Sequence, residues 1–458
     1  MSGIDFSLLK STQPGIVWPA ISDFRGASLL ALLFQFQQSE WMPPEELESL
    51  QFRQLELLFR HAAKNVPFYQ QRFRATPLPR GKRLTPEYWR KLPILERSAV
   101  QDAGDELRSR TIPKGHGRLG TIQTSGSTGQ PVKVDKTEAT QFIYDAITTR
   151  DHLWHQRDLR SKVANLRPES ELQPGKPVNT RGWGAVNMAF RTGQSKALSC
   201  RTSIEDQATW LIKENPTYIH SLTTNAKDLA TYFISHKLSL PGLREVRCFG
   251  EVLDEETIAL VRQAWDVKVT DAYSTAEVGY LALLCPEEGQ YHVQSEVTCL
   301  EVLDEQGAPC DPGTIGRVIV TPLHNFATPL IRYAVGDYVE LGPPCACGRG
   351  LPVIKRIMGR VRNMLTRPDG SRHWPSFPAE LWTAIAPVRQ FQLIQHELDK
   401  IEVRLVVARP LIESEEKGLV TMLQDRFGYP FAIKFSYQEN LERSAGGKFE
   451  DFISKVSA

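Results

Sequence analysis

The sequence predicts an α/β protein: a large N-terminal domain of parallel α/β layers with a small antiparallel β region, followed by a small α+β C-terminal unit. Three observations carry this reading. Between residues 204 and 274 helices and strands alternate: helix near 204–214, strand "PTYIHSL" (216–222), helix near 225–236, strand "REVRCFGE" (244–251), helix near 254–265 and strand "VKVTDAYS" (267–274). Alternation at this spacing belongs to a parallel sheet with crossover helices. From 291 to 341 the pattern turns to short strands and Gly/Pro turns, as in "EVTCLEVLDEQGAPCDPGTIGRVIVTPL". After "MGRVRNML" a separate unit follows, with strands in "FQLIQ" and "IEVRLVVA", a helix over 413–426 and a strand in "FAIKFSY".

The remaining elements follow in order. Pro44 to Lys64 reads as an amphipathic helix, with Leu47, Leu50, Leu55, Leu58 and Ala62 on one arc for core packing. Residues 137–158 read as a helix, and 158–183, rich in Pro, Gly and polar residues, as a surface excursion. A hinge is expected around Gly359 to Asn363. A chain of 458 residues can bury a large core in several domains. Its 55 Lys and Arg against 53 Asp and Glu, with no basic tail, give no argument for nucleic acid or an acidic membrane surface. The start "MSGIDFSLLKSTQPG" lacks a basic region before an apolar run, and no later run is long enough for a bilayer, so a soluble, cytoplasmic protein is expected. Seven cysteines are too few and scattered for a disulfide scaffold.

Ligands of parallel sheets bind beyond the carboxyl ends of the strands, which singles out the loops after Leu222, Phe249 and Ala272. Upstream, "TIQTSGSTGQPVKVDK" (Thr121 to Lys136) offers close backbone approach and hydroxyl donors to a phosphate. It is not a Walker loop, since Gly129 is followed by Gln130, Pro131 and a strand pattern; a Gly/Ser turn between two strands is the plain alternative. "DAYSTAEVG" carries Tyr273 and Glu277, "RYAVGDY" carries Asp337, and "SAGGKFEDF" carries Lys448. Singly these read as a helix cap, a turn aspartate and a solubilising lysine. Cys345-Ala-Cys347, with Cys285 and His292 of "CPEEGQYH", gives a three-sulfur, one-nitrogen set for a tetrahedral metal, although C-x-C is tighter than the usual C-x₂-C. Cys299 and Cys310 are reserve ligands, and Cys200 and Cys248 packing residues.

The order of these motifs along the chain, with "HAAKNVPFYQQRF", "KLPILERSAV", "FGEVL", "TPLIRYAVGDY", "CACGRGLP" and "MGRVRNML", resembles the adenylate-forming superfamily of acyl-CoA synthetases, in its phenylacetate-CoA ligase and CapK-like branch. The resemblance implies that Thr124, Ser125, Gly126, Ser127, Thr128 and Gly129 close over the β- and γ-phosphates of ATP, and that Glu277 binds Mg²⁺. It implies Tyr273 against adenine, Asp337 on the ribose hydroxyls, and Gly250 and Glu251 bordering the nucleotide and acyl pocket. Lys448 becomes the lysine of a mobile domain that neutralises carboxylate and α-phosphate oxygens, and Arg360 the hinge arginine. The implied division is 1–360, an adenylation domain whose 285–350 region holds a structural Zn²⁺ on Cys285, His292, Cys345 and Cys347, and 361–458, a mobile lid. The acid pocket falls to Trp183, Asn187, His220, Thr223 and Asn225, and an indole wall favours an aromatic or cyclic acid.

Two departures matter. Ala276 stands where the family usually has Thr or Ser, so that one phosphate-side hydroxyl is missing unless Ser274 or Thr275 substitutes. Arg362 and Asn363 replace an aspartate pair after the hinge arginine, which bears on the second half-reaction. The expected activity is ATP- and Mg²⁺-dependent adenylation of a small carboxylic acid, release of pyrophosphate and acyl transfer to coenzyme A, by a monomer or homodimer. The alternatives are transfer to an amine or a carrier thiol, and a catalytically reduced nucleotide-binding protein of surface polymer assembly.

Overall fold

The computed structural model describes residues 5–456 apart from 75, 80, 125–130, 169–170, 361–362, 376 and 442–448. The chain forms two compact units, Met1–Ile357 and Met358–Ala458.

In the first unit a six-stranded sheet runs in the order Val178–Asn179, Ser195–Ser199, Val163–Arg167, Tyr218–Leu222, Glu245–Phe249, Lys268–Thr270. All neighbours are parallel except the first pair. The helices Ile204–Glu214, Thr223–Ser235 and Glu255–Trp265 alternate with these strands, and Leu211, Ile219, Leu229, Phe233, Val246 and Val261 form their shared core. Local chemistry sets the ends. Ser203 and Asp254 cap the first and third helices by accepting from Asp206 N and Thr257 N, and Asn215 and Asp266 end them in the left-handed region.

A seven-stranded antiparallel sheet packs in a second core and has the order Thr298–Leu303, Ile315–Pro322, Tyr333–Leu341, Val353–Arg360, Tyr291–Val293, Gly279–Leu284, Ala272–Thr275. The second unit has a four-stranded sheet, Ala432–Tyr437, Lys400–Val407, Val388–Glu397, Phe452–Ser454, whose core of Leu393, Val403, Leu419, Leu423, Phe427 and Phe452 includes one face of the helix Glu413–Phe427. Among the described residues no helix is long and apolar enough to cross a membrane.

Three details differ from the sequence reading. On the helix Pro44–Asn65, Leu47, Leu55, Leu58 and Ala62 are buried, but Leu50 is exposed. At 100° per residue Leu50 falls outside the arc of the other four, which Phe59 joins instead. The stretch 158–183 is not wholly a surface excursion, because Val163–Arg167 is a strand within the parallel sheet with Val163, Ala164, Asn165 and Leu166 buried. A buried strand this short has no alternation to reveal it.

The third difference shapes the site. The single strand expected over 267–274 is two strands in two sheets, Lys268–Thr270 and Ala272–Thr275, at the adjoining edges of the parallel and antiparallel sheets. Asp271 makes the break: its Oδ1 accepts from Ala272 N at 2.6 Å and its Oδ2 from Tyr291 OH at 3.0 Å. Burial raises the Asp271 carboxyl from an ordinary 3.8 to about 6. The folded chain therefore holds a proton that the unfolded chain releases, and stability falls as pH rises from about 4 to about 6. Asp271→Asn should remove that slope, so that the difference in unfolding free energy moves toward the variant by about 3 kcal/mol between pH 4 and 7. Urea denaturation across this range checks it, and parallel pH profiles for the two chains would contradict the assignment.

Candidate functional site

Beyond Asp271, the strands Ala272–Thr275 and Gly279–Leu284 form a hairpin with Thr275 opposite Gly279. The turn needs glycine there: Gly279 has φ +106°, and an added Cβ would stand 3.3 Å from the Tyr144 ring. Thr275 Oγ1 accepts from Val278 N at 3.2 Å, which holds the turn that presents Glu277. Although it sits in a hairpin turn, Glu277 is buried. Arg97 Nη1 and Tyr333 OH donate to its Oε1 at 3.2 and 3.3 Å.

Arg97 also donates from Nη2 to Thr124 Oγ1 at 3.1 Å. Thr124 and Val132 are paired by Thr124 N to Val132 O at 3.0 Å and Val132 N to Thr124 Oγ1 at 2.9 Å, so they close the stem of the hydroxyl-rich loop. Ser125, Gly126, Ser127, Thr128 and Gly129 themselves lie outside the described residues. On the returning strand Lys133–Thr137, Lys136 is buried and its Nζ donates to the carbonyl of Ala276 at 2.9 Å. Burial brings its amine down to about 8, against the pull of Glu277 in the other direction.

Tyr273 OH donates to Asp337 Oδ2 at 2.8 Å, and both residues are buried. Asp337 and Tyr333 share the strand Tyr333–Leu341, so one strand of the antiparallel sheet meets both Tyr273 and Glu277. Leu95 bridges to Tyr333 just before the helix Arg97–Ala103, which brings Arg97 to the same place. Ser274 and Thr275 are half-buried beside them.

On the parallel sheet, Glu251 ties two neighbouring strand ends together. It follows Gly250, which has φ +76°, and accepts from Thr224 N at 2.8 Å and from Thr224 Oγ1 at 3.0 and 3.1 Å, at the start of the helix Thr223–Ser235. Thr223 Oγ1 donates to the Glu251 carbonyl at 3.4 Å. Asn225 is buried, with its amide donating to Gln207 Oε1 at 2.9 Å and Ser221 Oγ at 3.0 Å. Trp183 is core: its indole donates to Ser161 O at 2.9 Å and packs edge-on against Tyr218 and His152, with centroids at 5.3 and 5.1 Å. His220 stacks on His152 at 5.7 Å, so His152 brings Trp183 and His220 into one ring cluster. Burial first, then the nearby Arg247, lowers the basicity of His220 far below the usual range, and its Nε2 is buried without a hydrogen bond. Asn187 lies in the turn Gly184–Met188, where its carbonyl accepts from Lys10 Nζ at 3.4 Å. Arg360 ends the strand Val353–Arg360, and Lys448 lies outside the described residues.

The donor atoms of Cys285, His292, Cys345 and Cys347 all lie within 4.8 Å of one another. Cys345 Sγ is 3.9 Å from Cys285 Sγ, and Cys347 Sγ is 3.3 Å from His292 Nε2. Zinc at about 2.3 Å from each sulfur sets neighbouring sulfurs roughly 3.8 Å apart, so the set fits a closed tetrahedral ion. Burial, then Arg349, lowers His292 to about 4, so its imidazole is neutral at pH 7, as a ligand must be. The reserve ligands lie elsewhere: Cys299 is in the core of the antiparallel sheet, and Cys310 Sγ would stand 2.4 Å from a Cβ on Gly316.

Sequence reasoning missed Arg97, Tyr333, Lys136, His152 and Asp271. Arg97 is in "KLPILERSAV" and Tyr333 in "TPLIRYAVGDY", two motifs already quoted for the resemblance, and that position was the available signal. Residues 366–455 match the family model of the CapK C-terminal domain. A phenylacetate-coenzyme A ligase of Thermus thermophilus is 25% identical over 442 residues, 89% of this chain and 96% of that one. Protein CapK of Staphylococcus aureus is 23% identical, with 90% of each chain covered. The fold is shared with the crystal structure of 2-hydroxyisobutyryl-CoA ligase in the postadenylation state in complex with R3-HIB-AMP, with a TM-score of 0.72, 17% identity and 92% of each chain covered. Whole-length relatives, matched C-terminal domain and common fold agree: the chain is similar throughout to the phenylacetate-CoA ligases and CapK, and it shares the fold of an acyl-CoA ligase.

Proposed function

We infer that the protein is an ATP-dependent ligase that activates a carboxylic acid as its acyl-adenylate, releases pyrophosphate and transfers the acyl group to coenzyme A. One observation carries the reading: Arg97 joins Glu277 to Thr124 at the stem of the hydroxyl-rich loop, on the sheet that also holds the Tyr273–Asp337 pair. That arrangement suits a nucleotide lying from Asp337, on its ribose, to the loop of Thr124 to Gly129, on its phosphates. Glu277 would hold Mg²⁺, a hard cation that takes carboxylate oxygen and bridges phosphates. Attack of a carboxylate on an anionic phosphate needs cations on both sides, and Lys448 would supply one from the 361–458 unit with Arg360 at its hinge. The acid would lie toward the ring cluster of Trp183, His152 and His220 and the strand ends at Thr223 and Glu251, which favours an aromatic or cyclic acid. Coenzyme A as acceptor is supported by relatives named as phenylacetate-coenzyme A ligases.

Cys285, His292, Cys345 and Cys347 would hold a structural zinc ion. With four protein ligands it leaves no open position for substrate, so its part is to fasten the β region.

Lys448→Ala should lower acid-dependent pyrophosphate release by roughly 10²-fold or more while thioester formation from supplied acyl-adenylate remains measurable; full release would remove the role. Product masses after incubation of a panel of aromatic acids with ATP and Mg²⁺, and either coenzyme A or amines, should show the thioester. An amide would move the reading to the second acceptor class, and ATP binding without pyrophosphate exchange for any acid would support the catalytically reduced alternative. Elemental analysis of the purified chain should find about one zinc per chain, and Cys285→Ser or Cys345→Ser should lose it together with several degrees of melting temperature. A metal-free native chain of the same stability would rule the ion out.

A further inference from the structure

The helix Phe24–Ser39 turns Leu29, Leu33 and Phe36 into the core and leaves Phe24, Ala27, Ala31, Phe34, Gln35 and Gln38 exposed. Phe24, Ala27, Ala31 and Phe34 are spaced i, i+3, i+7, i+10, which is the seam along which one helix packs on another. The loop before the helix is closed by Thr12 N donating to Ile21 O at 2.8 Å, and it exposes more apolar surface. Trp18 is 72% exposed, Val17 68% and Ile21 48%, while Phe24 is 86%, Phe34 53% and Trp41, two residues past the helix, 50%. With about 150–250 Å² for a whole aromatic side chain, the four rings alone present roughly 600 Å². That equals the largest patch usual on a monomer, about 300–600 Å². Val17 and Ile21 bring the face toward the ~800 Å² per partner of a stable interface.

Charge and symmetry choose the occupant. Asp23 and Arg25 are the only charged residues from 11 to 39. Both are engaged within the chain, Asp23 as the helix cap accepting from Gly26 N at 2.8 Å and Arg25 over the Phe142 ring at 6.0 Å. Beyond 39, Arg349 lies over the Trp41 ring at 4.9 Å, itself buried and paired with Glu287, so the face carries no run of free Lys and Arg to seat a helix on lipid headgroups and little to select a charged partner. The large, small, small, large order of Phe24, Ala27, Ala31 and Phe34 reads the same in both directions. About a twofold axis near Leu29, antiparallel helices would set Phe24 against the partner's Phe34 and Ala27 against the partner's Ala31, with the alanines allowing close approach. The same axis carries the 16–21 loop toward the far end of the partner's helix, where Trp41 is exposed. We propose that this face is an isologous dimer interface and that its occupant is a second copy of this chain, paired through the helix Phe24–Ser39.

Sedimentation velocity of the full chain should show a dimer at micromolar concentration. Phe24→Glu with Phe34→Glu should weaken dimerisation at least ~100-fold while far-UV circular dichroism is unchanged. A second measurement does not depend on that variant folding. Under mild oxidation, a mixture of Ala27→Cys and Ala31→Cys chains should form a disulfide-linked dimer well above the level of either variant alone or of the native chain, whose seven cysteines set the background. A native chain that stays monomeric to ~50 µM would overturn the proposal, as would a dimer that ignores the glutamates or crosslinking equal in all mixtures. A monomer that floats with neutral phosphatidylcholine vesicles through Phe24 and Phe34 would assign the face to lipid and overturn it equally.

Discussion

The transfer of the chain from one sheet to another at Asp271 is the constraint from which the arrangement around Glu277 follows. Lys268–Thr270 completes the edge of the parallel sheet, and Ala272–Thr275 starts the edge of the antiparallel one. A carboxylate at the junction accepts from the next backbone N–H and from Tyr291, a residue of the antiparallel sheet, so the turn away from the first ladder is fastened to the second. Two residues later Tyr273 meets Asp337, and four after that Glu277 meets Tyr333, because both partners lie on the strand Tyr333–Leu341. A straight strand through 267–274 would keep these side chains on the parallel sheet and away from that strand.

The parallel sheet is held rigid below this junction by a buried ion network. Arg157 donates to both carboxylate oxygens of Glu245 and to Asp151 at 2.6–3.1 Å, and Arg247 donates to Asp151 at 2.8 Å. Thr270, the last residue before Asp271 in the parallel sheet, donates to Glu245 at 2.5 Å. Burial alone would raise the Asp151 carboxyl, but Arg157 and Arg247 bring it well below the usual carboxylate range. The same environment keeps His152 neutral through burial and the nearby Arg157, so it serves as a flat ring in contact with both Trp183 and His220. Such a network adds little net stability over apolar packing, yet loss of one member costs about 3–5 kcal/mol because it strands a buried charge. It thus fixes which arrangement of helix Glu138–Trp154 and strands is the folded one.

How much of this was legible in the sequence depended on the range of the signal. The alternation of helices and strands from 204 to 265 is local, marked by caps at Ser203 and Asp254, and could be read directly. The cysteine and histidine set could be found because few residue types bind a soft metal, so the residue types themselves narrowed the choice. Glu277, Tyr273 and Asp337 came from the order of motifs, and no periodicity would have supplied them. Arg97 contacts Glu277 across 180 positions of sequence, and Tyr273 meets Asp337 across 64, so only the folded chain reveals those pairs. Val163–Arg167 escaped notice because a buried strand of five residues carries neither alternation nor helical period.

The charge balance at this place bears on the residue that departs from the family pattern. A hydroxyl is expected before Glu277, and Ala276 supplies none, but its carbonyl is held by the buried amine of Lys136. Lys136 and Arg97 are two cations beside one carboxylate, and among the described residues Lys136 makes no ion pair. Keeping that amine buried has a cost, which its fall to about 8 records. The folded protein accepts that cost with two cations, Lys136 and Arg97, set against the single carboxylate of Glu277. An anionic group arriving near Lys136 would offset that cost, which would favour the phosphate proposed for the loop without a hydroxyl at 276.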